Sequence, residues 1–306
     1  MRNLRHFRLL MSLSCGLCAV ATASILIRAA MADGVPALVI AAYRLTFAAL
    51  ILTPLVLRTR WAELRHLTRR DWLWALASGF FLALHFAVWI SSLAYTTVAS
   101  SVVLVTTAPI WVALASWLVF REQLGRSIVI GLIVTVWGGM LVGFSDSADL
   151  GLSSTQLRGD FLALAGAWFV AGYLLIGRQL RDRMSLLTYI SVVYGSAAIW
   201  LIGLAALSGA SFTQPSAERP YPLSAYVWML LLALLPQLVG HSAYNYALRF
   251  LPPTYVAIVS LAEPIGSAIL ALLLLNEMPD PLAVLGAIVI LIGIGLASRP
   301  ARRPPA

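Results

Sequence analysis

One arginine and one glutamate lie deep inside apolar runs of this chain, where hydrocarbon tolerates neither. Arg44 sits in Ala41-Ala42-Tyr43-Arg44-Leu45, and Glu263 is the one carboxylate far from the ends of its run. A charged side chain at a bilayer centre costs at least ~2.5 to 3.5 kcal/mol on insertion scales, so each is expected to face a cavity, pair, or change its protonation. Arg44 suits a substrate carboxylate or phosphate held through two parallel hydrogen bonds. Its structural alternative is to tie helices together through carbonyls and an acid. Glu263 suits proton coupling or a substrate amine, and its structural alternative is a pair with Arg44. Ser260 and Ser267, three and four residues away, place a polar stripe on the same face.

Two further polar stripes have helical spacing. Gln237, His241, Tyr244 and Asn245 follow Pro236, and Phe81, His85, Trp89 and Ser92 form the second. Both are expected to point inward, because lipid leaves donors unsatisfied. Tyr43, Trp111 and Trp168 lie nearer mid-membrane than the other aromatics, with Tyr173, Tyr189 and Tyr194 as further candidates for an aromatic pocket. Trp61, Trp72, Trp74, Trp137, Tyr221, Tyr226 and Trp228 fall near run ends and suit an interfacial belt. Cys15 and Cys18 have the spacing of a redox pair without its strand-helix context, so they read as small residues lining a packed helix. No metal site and no cofactor is expected.

The elements that must position these residues are set by composition. The chain has 306 residues, 61% hydrophobic and 11% charged, with mean hydropathy +0.90. Soluble domains carry about 25% charged residues, so an ordinary soluble enzyme is excluded. Ten apolar runs, roughly 9 to 30, 35 to 57, 72 to 94, 98 to 120, 127 to 144, 159 to 177, 186 to 207, 225 to 247, 254 to 275 and 281 to 297, read as membrane helices. The first outlasts a signal-peptide core and reads as an uncleaved helix. With the N-terminus inside, 17 arginines fall in inner segments and 3 in outer ones. Both termini are therefore expected in the cytoplasm of a multi-pass plasma-membrane protein. The net charge of +9 orients the chain and does not call for nucleic acid.

A shift of 155 residues aligns Pro109 with Pro264, Ile110 with Ile265, Glu122 with Glu277, Gly131 with Gly286, Gly138 with Gly293 and Leu141 with Leu296. Each copy holds five runs, an odd number, so the second must enter the membrane inverted. The expected fold is an all-α integral membrane protein of ten transmembrane helices in two inverted five-helix repeats. Residues 1–144 and 159–298 form the repeats, 145–158 connects them, and 299–306 is a cytoplasmic tail. Pro109 and Pro264 are expected to break their helices near the middle of the span, each removing a backbone donor and displacing the carbonyl of Val105 or Ser260, and two such breaks would place a substrate site near the midplane between the halves. Glu122 and Glu277 suit the N-terminal dipole of the next helix. Gly131, Gly138 and Gly139, with Gly286, Gly293 and Gly295, suit close-packing faces.

These doubled features resemble the EamA-like branch of the drug/metabolite transporter superfamily: a proline in the fourth helix of each half, an acid closing it and a glycine-spaced fifth helix. Arg44 also resembles an arginine common in that family's second helix. The resemblance implies a transporter that mostly exports small metabolites or drugs. With the residues above, it sets the expectation of alternating-access export of an amino acid, related zwitterion or drug. Proton coupling would run through Glu263, and the substrate contacts would be Arg44, Tyr43, His85, Trp89, Trp111, Trp168, His241, Tyr244, Asn245, Ser260 and Glu263. The partners are then a small-molecule substrate and the lipid bilayer. A nutrient importer is the alternative within transport, and a membrane-embedded lipid-modifying enzyme is the alternative outside it. No Gly-x-x-x-x-Gly-Lys loop and no lysine occurs, which argues against direct nucleotide drive.

Overall fold

The computed structural model describes residues 2–96, 101, 104–121, 124–145, 154–214, 219–263, 265–266, 269–270 and 281–297. Pro264, Ser267, Glu122 and Glu277 lie outside the described residues.

Among the described residues the regular elements are helical. They are α1 (Arg2–Ala21), α2 (Ala23–Ala32), α3 (Ala37–Thr59), α4 (Trp61–His66), α5 (Arg69–Ser92), α6 (Ala108–Phe120), α7 (Arg126–Ser145), α8 (Ser154–Arg181) and α9 (Leu186–Leu207). Beyond these come α10 (Leu223–Leu232), a π-helical segment Ala233–His241, α11 (Ser242–Ala247), α12 (Pro253–Ser260) and α13 (Pro281–Ala297). Six stretches are long and apolar enough to cross a bilayer: Phe7–Ala32, Ala37–Thr59, Arg69–Ser92, Ser154–Arg181, Leu186–Leu207 and Leu223–Ala247. Ala108–Val119, Arg126–Leu141 and Val284–Ala297 are shorter apolar helices. Leu50, Leu55, Ile133, Trp137, Ile199 and Leu291 are exposed on the outer faces, where only hydrocarbon suits them.

Local chemistry sets the helix ends. Thr68 and Asp71 form a capping box at the start of α5, and Ser185 accepts from the Thr188 N–H at the start of α9. Thr22 interrupts the first span; its hydroxyl donates to Ala19 O at 2.7 Å, which bends the chain between α1 and α2.

Among the helix pairs that pack in the bundle are α3 on α9, α5 on α8 and α9, α2 on α10, α1 on the π-segment and α11, α6 on α8 and α12, and α7 on α13. Glycine decides the last. A Cβ on Gly131 would lie 2.6 Å from Gly293 O, one on Gly138 would lie 2.8 Å from Gly286 O, and one on Gly293 would lie 2.9 Å from Gly131 O. The contact is reciprocal, and the two backbones touch only because side chains are absent. Gly139 and Gly295 do not share this role: Gly139 meets only Thr106 Oγ1 at 3.8 Å, and nothing lies within 4 Å of Gly295. Cys15 and Cys18 are free and exposed, so they face outward and do not line a packed seam.

The break expected at Pro109 lies just ahead of it. The helix is broken at Thr106–Thr107, and Pro109 stands in the first turn of α6, where a missing N–H costs nothing. The second break falls at Leu261–Ala262, 155 residues on.

Candidate functional site

A cavity lies where these irregular segments meet. Val20 and Ala23 flank the Thr22 bend, and Val105, Thr106 and Ala108 flank the first helix break. Ser260 and Glu263 flank the second. Arg44 of α3, His85 and Trp89 of α5, Tyr173 of α8, and His241 and Tyr244 around the end of the π-segment complete the polar and aromatic lining. Irregular backbone at membrane depth is tolerated where it lines such a space.

Arg44 is fully buried. Its Nε donates to Gln237 Oε1 at 2.9 Å, and its guanidinium carbon lies 4.1 Å from the centre of the Phe86 ring. Nη1 and Nη2 are buried and have no hydrogen-bond partner among the described residues. Among the described residues no carboxylate stands within 4.0 Å of Arg44, the ion pairs being Arg178 with Asp182 and Arg183 with Asp71. The Arg44–Glu263 pair weighed as the structural alternative therefore does not form. An unpaired guanidinium fork is the arrangement that receives a carboxylate or phosphate.

Glu263 accepts a hydrogen bond from Tyr244 Oη at 2.9 Å. His85 Nδ1 lies 2.9 Å from the Gly166 carbonyl oxygen; a carbonyl can only accept, so this nitrogen carries the proton. Stacking of His85 on Trp89, with ring centroids 5.8 Å apart and planes at 9°, fixes the imidazole further. His241 packs edge-on to Phe86 at 5.2 Å and Tyr244 at 6.2 Å. No group of three or more metal-ligating side chains occurs among the described residues.

A sequence profile of the EamA-like transporter family matches residues 8–144 and 157–299, nearly the whole chain. The chain belongs to the EamA-like transporter family. An uncharacterized transporter of Archaeoglobus fulgidus is 26% identical over 207 residues, 68% of this chain and 69% of its own. The uncharacterized transporter YwfM of Bacillus subtilis is 24% identical over 242 residues, 78% of each chain. A crystal structure at 16% sequence identity superposes with a TM-score of 0.75, covering 94% of this chain and 96% of the other, and so shares the fold. This is a multi-pass membrane transporter of the EamA-like family.

Within this EamA-like chain, seven of the eleven substrate contacts expected from sequence line one cavity: Arg44, His85, Trp89, His241, Tyr244, Ser260 and Glu263. Four do not. Tyr43, next to Arg44, points the other way, donating to Phe212 O at 3.1 Å and packing on Phe47 and Tyr226. Outside that set, Tyr221, read as a belt residue, is buried beside Tyr226 and donates to Ser211 O at 2.8 Å. Trp111 and Trp168 pack edge-to-face on each other at 5.4 Å, and Trp111 Nε1 donates to Thr107 Oγ1 across the helix break. Asn245 lies beside the cavity in a buried cluster, its Nδ2 donating to Tyr173 Oη and Tyr194 Oη. Arg181, counted among the inner arginines, is buried, donating to the main-chain oxygens of Asn245 and Met184. Phe86 was missed altogether; an aromatic beside a histidine in an apolar run carries no signal of a cation above it.

Proposed function

We propose that this chain is a secondary active transporter of the plasma membrane that exports a small organic metabolite of the zwitterionic or drug-like class by alternating access, with proton coupling through Glu263. The observation that carries the reading is the Arg44 fork: two buried donors without partners in a cavity that also holds a carboxylate. A zwitterion satisfies both poles at once, its carboxylate on Arg44 and its ammonium on Glu263. The apolar lining of Val20, Val105, Val170, Leu174 and Val256 takes the apolar part of the substrate.

Ten spans in two inverted halves, 1–144 and 159–298, provide the moving parts. Two observations support that arrangement. The helix breaks are 155 residues apart, the offset of the sequence repeat. The partners also exchange across that offset: α7 packs on α13, its counterpart, and Gly131 meets the counterpart of Gly138 while Gly138 meets the counterpart of Gly131. Reciprocal contact of this kind is what a two-fold axis generates. Pro109 opens the helix that follows the first break, and the arginine bias of 17 to 3 supports cytoplasmic termini.

The test is binding and counterflow in proteoliposomes with leucine, 4-methylpentanoate, which lacks the amine, and 3-methylbutylamine, which lacks the carboxylate. Leucine is expected to bind tightest and to exchange against a proton gradient. Failure of all three to bind the reconstituted protein would sink this reading.

A further inference from the structure

The guanidinium of Arg44 is held by a neutral side chain where an acid is the usual partner for a buried arginine. Gln237 is fully buried, and its Oε1 is the acceptor for Arg44 Nε. It stands in the π-helical segment Ala233–His241, directly after Pro236. A π-helix bonds i to i+5 and so carries extra residues in its turn. This shift brings Gln237 against α3 while His241 and Tyr244 face the cavity. Tyr194 Oη donates to the Gln237 main-chain oxygen at 3.4 Å. The segment is also pressed against α1: a Cβ on Gly240 would strike Val20, which itself lines the cavity.

Three constraints then act on one guanidinium. Gln237 fixes Nε, the Phe86 ring covers one face, and the remaining edge carries Nη1 and Nη2 with no hydrogen-bond partner among the described residues. A glutamate at 237 would make the same hydrogen bond but cancel the charge. Glutamine orients the fork and leaves its full positive charge to the ligand.

Building on the anion-seating role given to Arg44 above, we infer that Gln237 is a positioning residue that sets the charge selectivity of the cavity, making it prefer a substrate carboxylate by aiming Arg44 without neutralising it. It acts through Arg44 and touches no substrate itself. Selectivity is thereby placed on the π-segment of one half of the chain and read out by an arginine on the other.

The test uses the full chain in nanodiscs with radiolabelled 4-methylpentanoate and 3-methylbutylamine, comparing wild type with Gln237→Glu and Gln237→Leu. A hydrogen bond to a charged group lost from the anion's site corresponds to about a tenfold to hundredfold change in affinity. Gln237→Glu is expected to lose that much for 4-methylpentanoate while holding or gaining affinity for 3-methylbutylamine, so the anion-to-amine ratio falls. An unchanged ratio in a folded Gln237→Glu protein overturns the inference. Should neither probe bind wild type, the anion-seating reading fails by itself, and the positioning role is then read by arginine side-chain 15N NMR. Wild type should show a slowly exchanging Nε–H signal that Arg44→Gln deletes. Its loss in Gln237→Leu supports the positioning role, and its persistence there overturns it.

Discussion

The two helix breaks share a backbone path and differ in the side chain that comes next. At Thr106–Thr107 the Thr107 N–H donates to Leu104 O at 3.2 Å and the Ile110 N–H to Thr107 O at 2.9 Å. At Leu261–Ala262 the Ala262 N–H donates to Val259 O and the Ile265 N–H to Ala262 O, both at 3.1 Å. The next residue is Ala108 in the first and Glu263 in the second, and both line the cavity. A break that forms equally well with alanine does not need a carboxylate. The insertion cost of the acid therefore has no return in the backbone of the break, which is why the proposed coupling is assigned to Glu263. The proposed mechanism thus takes its frame from the matched breaks and its chemistry from the residue in which they differ.

The largest effect expected from breaking this comparison is at Glu263. Glu263→Gln should reduce pH-dependent counterflow in proteoliposomes to the background of empty vesicles while the protein folds and binds lipid normally. Moving the acid to the equivalent place, Ala108→Glu in a Glu263→Ala background, should not restore coupling. The Tyr244 hydroxyl that holds Glu263 at 2.9 Å lies beside the second break only. Recovery of coupling in that double variant would show that the frame, and not the local partner, carries the proton.

Next in size is Arg44. Arg44→Gln should weaken binding of 4-methylpentanoate by about tenfold to a hundredfold, the loss of a charge-assisted fork. Thermal unfolding with and without the probe separates this from instability. An equal drop in both midpoints, with the ligand-induced shift preserved, would make Arg44 a structural tie.

Legibility in the sequence divides along the same line. Arg44, Glu263, His85 and His241 stand out because polar groups in apolar runs carry a desolvation cost, and all four line the cavity. Tyr43, Trp111 and Trp168 carry no such cost, and composition cannot say which face of a helix an aromatic uses. Tyr43 therefore sits one residue from Arg44 and faces away. Asn245 was assigned to the face of Gln237, His241 and Tyr244 by counting at α-helical spacing, but the π-segment Ala233–His241 changes the count. Pro236 marked the irregular place without revealing its extra turn width. The offset of 155 was legible, and the breaks at Thr106–Thr107 and Leu261–Ala262 keep it.

A smaller effect tests the frame itself. Gly131→Ala and Gly293→Ala each force a methyl group into the opposing backbone and should each cost about 1 to 3 kcal/mol, the range for overpacking. Gly139→Ala and Gly295→Ala meet open space or ordinary contact and should stay within about 0.5 kcal/mol of wild type in detergent unfolding. Destabilisation by Gly131→Ala without matching destabilisation by Gly293→Ala would mean that α7 and α13 do not contribute as equals.

The smallest effect concerns an acid that is not in the cavity. Glu63, in α4 outside the spans, accepts the Ser185 backbone N–H at 2.7 Å and so ties α4 to the cap of α9. Partial burial pushes its carboxyl up, but the Ser185 and Thr188 hydrogen bonds and the Arg60 charge outweigh this and hold it below the ordinary value. A depressed folded-state pKa gives stability that is fully present above the unfolded value of about 4.3 and is lost as pH falls through the lower folded value. Solvent screening keeps the amount below about 1 kcal/mol. Thermal midpoints measured from pH 7 down to pH 3 should therefore fall slightly less steeply in Glu63→Gln than in wild type, while counterflow keeps its pH dependence. Glu263→Gln, by contrast, should abolish coupling. If Glu63→Gln also flattened the transport profile, the proton-linked step would extend to the edge of the bundle and the contrast between structural and working acids would fail.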